Sequence, residues 1–163
     1  MQHFQTELHY PRPVSAFKEM LESETYLLEK YAWLGEEEVE ILNCGEKGGI
    51  FCVEVRRIVP IEVPRFAGRF LSPKSHVHEK DEWEIFEPHL LKGIWTVQVK
   101  GAPFQLEGTM DVKPSGEGCV QMVTGTVSSA VPLIGRRLER FIAEDARKKI
   151  EREGEFNRAW LGR

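Results

Sequence analysis

No apolar run in this 163-residue chain approaches the ~18 residues that a membrane-spanning helix needs. Its opening residues, Met1-Gln2-His3-Phe4, lack the apolar stretch of a secretory signal. Cysteine is scarce. Cys44, Cys52 and Cys119 make an odd number, and no two have the spacing of a zinc or redox pair. Cys52 and Cys119 lie among strand-forming residues and read as small buried hydrophobes, the usage of a reducing cytoplasm. A phosphate-cradling loop is missing, because Gly45–Gly49 has neither the required spacing nor a helix after it. No Ser or Cys sits in a nucleophile elbow, so no Ser/His/Asp or Cys/His order can be argued. A basic excess is missing too, since the formal net charge is −4. The segment from residue 131 onward carries nine basic and six acidic side chains; the rest carries thirteen and twenty. That balance argues against a nucleic-acid footprint. We find no internal repeat and no low-complexity segment. The expectation is a cytoplasmic protein with no cofactor and no catalytic residue to name.

The length fits a single domain, 1–163, large enough to bury roughly 70% of its unfolded surface. What the chain does have is strong periodicity. Residues 3–10 alternate: Phe4, Thr6, Leu8 and Tyr10 share one side, as in a half-buried strand. Pro11 and Pro13 end it. Val14, Phe17, Met20 and Leu21 give a short helix, with Ser23 as its stop or the next cap. Tyr26, Leu27, Lys30, Tyr31 and Leu34 give a second, closed by Gly35. Glu36-Glu37-Glu38 reads as a solvated loop.

Strands follow. Val39–Cys44 and Ile50–Val59 flank the hairpin signal Gly45–Gly49. Phe51, Val53, Val55, Arg57 and Val59 share a face. Further strands are expected at 77–86, 94–100, 104–112 and 119–128, with a turn at Pro114–Gly118. Inward candidates are Val77, Trp83 and Ile85, then Trp95, Val97 and Val99, then Phe104, Leu106, Gly108, Met110 and Val112. Both faces of the 119–128 strand carry apolar residues, which leaves its inward parity open.

Past residue 131 the period changes to that of an amphipathic helix. Ile134, Leu138, Phe141, Ile142, Ala146 and Ile150 form one stripe, and charges occupy the rest. Pro132 suits a first turn and Gly154 a stop, which predicts a helix over Pro132–Glu153. Short links make neighbouring strands antiparallel. The fold class expected is α+β: a six- to seven-stranded sheet with one long helix on one face and two short helices after the first strand.

The run Gly125-Thr126-Val127-Ser128-Ser129-Ala130-Val131-Pro132-Leu133-Ile134-Gly135-Arg136-Arg137-Leu138-Glu139 resembles the entry to the last helix in the START-like superfamily. That superfamily is also called SRPBCC, helix-grip or Bet v-like. The segment Val55-Arg56-Arg57-Ile58-Val59-Pro60 and the Trp83 strand are similar to the same uncharacterised bacterial branch, a domain of unknown function. The resemblance implies a bent antiparallel sheet gripping the last helix around an apolar cavity. Superfamily members bind lipids, sterols, polyketides or hormones. A minority are cyclases, oxygenase subunits or co-chaperone domains. No catalytic signature carries over to a position here.

A cavity also has a physical reason. One helix of about 10–12 Å diameter does not fill the concave side of a curved sheet of this width. The ligand-binding wall expected is Val53, Val55, Arg57, Trp83, Ile85, Trp95, Val97, Phe104, Leu106 and Met110, facing Ile134, Leu138, Phe141 and Ile142. Leu138 is expected where the sheet stands furthest off. Each of these residues could equally be plain core. Arg57, at a strand end, either reaches out to water or finds a carboxylate or ligand anion inside. His76, His78, Glu82 and Glu84 share a parity and could hold a metal. Their side is opposite Val77 and Trp83, so they read as surface, and no metal is expected. The partner expected is a hydrophobic small molecule or lipid, with no nucleic acid; the oligomeric state stays open. The alternatives are a cyclase/aromatase- or hydrolase-type enzyme using the same cavity, which needs a polar cluster inside it, and a co-chaperone-like interaction module, which needs a filled cavity and an exposed apolar patch.

Overall fold

The computed structural model describes residues 1–86 and 89–163. In chain order it has β1 (Gln2–Tyr10), α1 (Val14–Leu21), α2 (Glu24–Trp33), β2 (Glu37–Lys47) and β3 (Ile50–Pro60). A short 3-10 turn (Arg65–Ala67) leads to β4 (Lys74–Phe86), β5 (Leu90–Val99), β6 (Phe104–Ser115), β7 (Gly118–Ser129) and α3 (Gly135–Leu161). The seven strands form one antiparallel sheet in the order β1-β7-β6-β5-β4-β3-β2. The fold is therefore α+β, with α3 across one face and α1 and α2 inserted after β1.

Local chemistry explains the boundaries. Ser23 caps α2, its hydroxyl accepting from the Tyr26 N–H at 3.1 Å. The β2–β3 hairpin is tighter than Gly45–Gly49 suggests. β2 runs through Gly45, Glu46 and Lys47, and only Gly48 and Gly49 turn, with φ of +61° and +82°. Two successive positive φ values make the type I′ geometry that matches strand twist, and glycine adopts it without strain. Glu36 is not part of a solvated loop, and Glu37 and Glu38 begin β2.

The last helix differs most from its sequence reading. Pro132–Ile134 form a turn, closed by Gly135 N–H donating to the Val131 carbonyl at 3.1 Å. Leu133 takes φ +69° and is fully exposed. The Glu139 carboxylate reaches back to accept from Ser129 N–H at 2.8 Å, tying the helix entry to the end of β7. At the other end Gly154 does not stop the helix, which continues to Leu161, about 40 Å in all. A Cβ at Gly154 would sit 2.8 Å from Leu8 Cδ2. The glycine costs about 1 kcal/mol in a helix interior and lets α3 lie close on β1.

The register sets rows of side chains on the face beneath α3. One row reads Val55, Glu79, Val97, Leu106, Val127 across β3 to β7. The next reads Val53, Asp81, Trp95, Gly108, Gly125 and Phe4 of β1. Gly108 and Gly125 are neighbours for a reason. A Cβ at either would collide, with the Thr124 carbonyl or with the Phe4 ring. Their bareness seats Trp95 beside Phe4, ring centres 6.2 Å apart, and Trp95 Nε1 donates to the Thr124 carbonyl at 3.1 Å. The inward parity of β7 is the odd-numbered one, Cys119 to Val127; Val120 on the other face is buried as well.

Candidate functional site

Between the sheet and the helices lies a cavity of about 170 Å³. One side is apolar, built by Trp95, Val97, Leu106, Met110 and Val123 of β5 to β7 and by Ile142, Ala146 and Ile150 of α3. The other side is polar and comes from α2, the link before β2, β3, β4 and the second half of α3. It carries Lys30, Glu36, Arg57, Glu79, Asp81 and Glu153.

Of the residues expected at the wall, Arg57, Trp83, Trp95, Val97, Phe104, Leu106, Met110 and Ile142 line this cavity. Val53, Val55, Ile85, Ile134, Leu138 and Phe141 do not. Leu138 has no exposed surface and is packed core rather than the widest point. Phe141 turns aside to meet Phe66 edge-on at 6.3 Å. The sheet twists beneath the helix, so α3 faces the gap from Ile142 to Asn157 and not over its first turns.

Arg57 does not reach out to water. Its side chain is 7% exposed. Nε donates to Glu36 Oε1 at 3.2 Å and Nη2 to Glu79 Oε1 at 2.8 Å. The guanidinium lies 4.4 Å from the Tyr31 ring centre. Lys30, also buried, lies 4.6 Å from the same ring and 5.1 Å from that of Tyr26. Burial alone opposes its charge, but Tyr26, Tyr31, Glu153 and Glu79 outweigh that and hold Lys30 well above the usual lysine range. Arg57 is raised in the same way, against burial, by Tyr31, Glu79 and Glu36.

The acids divide. Burial pushes Glu79 up, but Arg57 and Lys30 overcome it and leave Glu79 below the usual carboxylate range. Asp81, two residues on and on the same face, is pushed well above that range by burial and then by Glu79 itself. Two adjacent, largely buried carboxyls disfavour each other's ionisation. Burial is also the main reason Glu153 is raised, with Lys30 acting against it. Beside this group a second hydrogen-bonded set closes the interior. Tyr26 donates to Asn157 Oδ1 at 2.5 Å, Asn157 Nδ2 donates to the Tyr10 hydroxyl at 3.3 Å, and Tyr10 donates to Gln121 Oε1 at 2.7 Å. Burial lifts the Tyr26 hydroxyl to about 12, so this set stays neutral.

Among the described residues, four buried polar atoms have no protein partner: Glu36 Oε2, Arg57 Nη1, Asp81 Oδ1 and Trp83 Nε1. All four residues line the cavity. Glu79, Asp81, Lys30, Glu36 and Glu153 escaped the sequence reading as site residues. The signal for the first two was parity, because they fall between Val77 and Trp83 on an inward face. Lys30 stood within the apolar stripe of α2.

On the outer face of the sheet, His76 is exposed and His78 Nε2 lies 2.6 Å from Glu54 Oε2. Among the described residues no three His, Cys, Asp or Glu side chains gather as a metal set. The three cysteines are free thiols. No helix among the described residues is long and apolar enough to cross a membrane.

Comparison with known proteins supports the same architecture. No curated protein matches the sequence. Among solved structures, TTHA0849 from Thermus thermophilus superposes with a TM-score of 0.67 at 17% identity, covering 98% of this chain and 97% of that one. Ara h 8.0201 gives 0.65 at 10% identity, covering 98% and 97%. The STAR-related lipid transfer protein fragment from Xanthomonas axonopodis gives 0.60 at 11% identity, covering 99% and 86%. These likenesses establish the START-like, helix-grip fold. A family model described as a protein of unknown function, DUF2505, matches residues 5–161. The chain belongs to the DUF2505 family and carries the START-like fold.

Proposed function

We propose that this protein binds a small hydrophobic molecule or lipid in the cavity between the sheet and α3. The observation that carries the reading is the cavity itself: about 170 Å³, with a continuous aromatic and aliphatic wall on one side. An apolar space of about 150 Å³ accommodates a benzene-sized molecule, and ligand sites are concave and mostly apolar with a few placed polar groups. The lipid-transfer name of one structural neighbour supports the same class of ligand. Three free thiols fit a reducing, cytoplasmic setting.

The polar side favours a second reading, acid–base chemistry on a bound molecule. A protonated Asp81 beside an ionised Glu79 is the pairing that separates a proton donor from an acceptor. Native mass spectrometry of freshly purified protein tests the binding reading, together with thermal melts against an environment-sensitive dye. A retained small molecule, or a dye-dependent rise in Tm, supports it. A bare protein with no response to saturating dye removes it. A retained molecule that leaves chemically altered favours the second reading.

A further inference from the structure

The polar side of the cavity constrains the charge of its occupant. Two cations, Lys30 and Arg57, face four carboxyls, Glu36, Glu79, Asp81 and Glu153, and Lys149 and Asp145 line the same cavity as an ion pair of their own at 2.8 Å. Arg57 already holds Glu36 and Glu79 as ion pairs. Lys30 is enclosed by Tyr26 and Tyr31 on its own helix, Glu79 on β4 and Glu153 on α3. Asp81 and Glu153 are held in the protonated direction, first by burial. The cations on this side are therefore met by carboxylates or by aromatic rings, and two of the four carboxyls are pushed toward their neutral form. A charged occupant would add an ion with no free counter-charge beside it, which a largely buried site disfavours. An anion would lie beside Glu36 and Glu79, with Arg57 already paired to both and Lys30 set between two tyrosine rings. A cation would lie beside Lys30 and Arg57.

The unpartnered atoms specify the rest. Arg57 Nη1 and Trp83 Nε1 are donors; Glu36 Oε2 and Asp81 Oδ1 are acceptors. Buried polar atoms are seldom left unpaired. We propose that the ligand is an uncharged molecule, about one substituted ring in size, whose polar group both donates and accepts hydrogen bonds, as an amide or hydroxyl does. Its polar group meets the Arg57 and Asp81 side of the cavity, and its apolar body meets Trp95 and Met110. This assignment rests on the binding reading and adds the ligand's charge and hydrogen-bonding class to it.

The test is an isosteric series of probes, 4-propylbenzamide, 4-propylbenzoate and 4-propylbenzylamine, titrated calorimetrically at pH 7.5 into the wild-type protein. The amide is expected to bind at least about tenfold more tightly than either ion, about 1.4 kcal/mol, with the same heat in buffers of different ionisation enthalpy. Tightest binding by the benzoate means Arg57 has free capacity and overturns the proposal. Tightest binding by the amine, with proton release, means the acids set the preference and overturns it as well. Equal affinities overturn it too, because water then satisfies the orphan atoms. Glu36→Gln removes one negative charge and should move the benzoate at least about tenfold toward the amide; no movement counts against the proposal. If none of the probes binds while a dye binds and raises Tm, the ligand class is wrong and the binding reading stands. If the dye fails too, the binding reading falls with it.

Discussion

Replacing Asp81 by Asn should make this protein more stable at neutral pH, with a gain that grows with pH. The carboxyl is inward on β4, between Val53 and Trp95, and beside Glu79. Burial and Glu79 raise its pKa in the folded protein. The unfolded chain releases that proton near pH 4. From about pH 5 up to the folded-state pKa, the native state thus holds one proton more than the unfolded state. Stability must then fall as pH rises, by ~1.4 kcal/mol per pH unit for this group. Asparagine is nearly isosteric with the protonated acid, still donates to Glu79, and binds no titrating proton. The slope due to Asp81 therefore disappears in the variant. Glu153, raised in the same direction, keeps its own slope in both proteins. Glu79 has the opposite sign, since its lowered pKa contributes stability above the usual glutamate value that is lost only in acid. The two proteins should be within about 1 kcal/mol of each other at pH 5. By pH 7 the variant should lead, with the gap widening by up to about 1.4 kcal/mol per pH unit until the folded-state pKa is reached. Urea unfolding followed by tryptophan fluorescence between pH 5 and 9 measures the difference. A variant that is weaker throughout, or a difference that is flat with pH, would show that Asp81 is an ionised partner of the cations.

Arg57→Met should cost about 3–5 kcal/mol, because it leaves Glu36 and Glu79 buried without their cation; denaturant midpoints report it, and a loss under 1 kcal/mol would mean water already screens the pair. Arg57→Lys should recover only part of that loss, since an ammonium does not span both carboxylates and stack on Tyr31 together. Gly108→Ala should cost at least about 3 kcal/mol, because its methyl group meets the Thr124 carbonyl and the Trp95 ring rather than a yielding chain end. Leu138→Trp should lose more than about 2 kcal/mol, as bulk forced into a filled interior does, whereas Ala146→Leu, on the cavity wall, should stay within about 1 kcal/mol and abolish dye binding. A tolerated Leu138→Trp, seen as an unchanged melt, would move the cavity along the helix.

Periodicity carried much of this fold because strands and helices were long and cleanly patterned. The alternation of Phe51, Val53 and Val55 and the stripe through Leu138 and Ile142 each placed an element and its buried face. Periodicity does not report the distance between layers, so it put the wall at the start of α3, Ile134 to Ile142, while the cavity faces the helix from Ile142 to Asn157. The charged side was less legible. Glu79 and Asp81 have the parity of Val77 and Trp83, but an acid on an inward face is expected only where a partner waits. Their partners, Lys30 and Arg57, lie on other elements, and no local spacing connects them. Gly154 was misread for a related reason. A glycine stops a helix when the chain end is free, but here the close approach of Leu8 decides.

The pairing of β1 with β7 has a consequence for synthesis. Gln2 lies opposite Val127, so the sheet's first strand in chain order waits for its seventh. At translation rates of about 5–20 residues per second, β1 spends roughly 6–25 s without its partner. The helix that covers both strands emerges later still. The hairpins from β2 to β6 can zip as they appear, but β1 stays loose until β7 is out. The sheet is therefore completed only after the ribosome has delivered the chain through Ser129, and the cavity closes after α3 has followed.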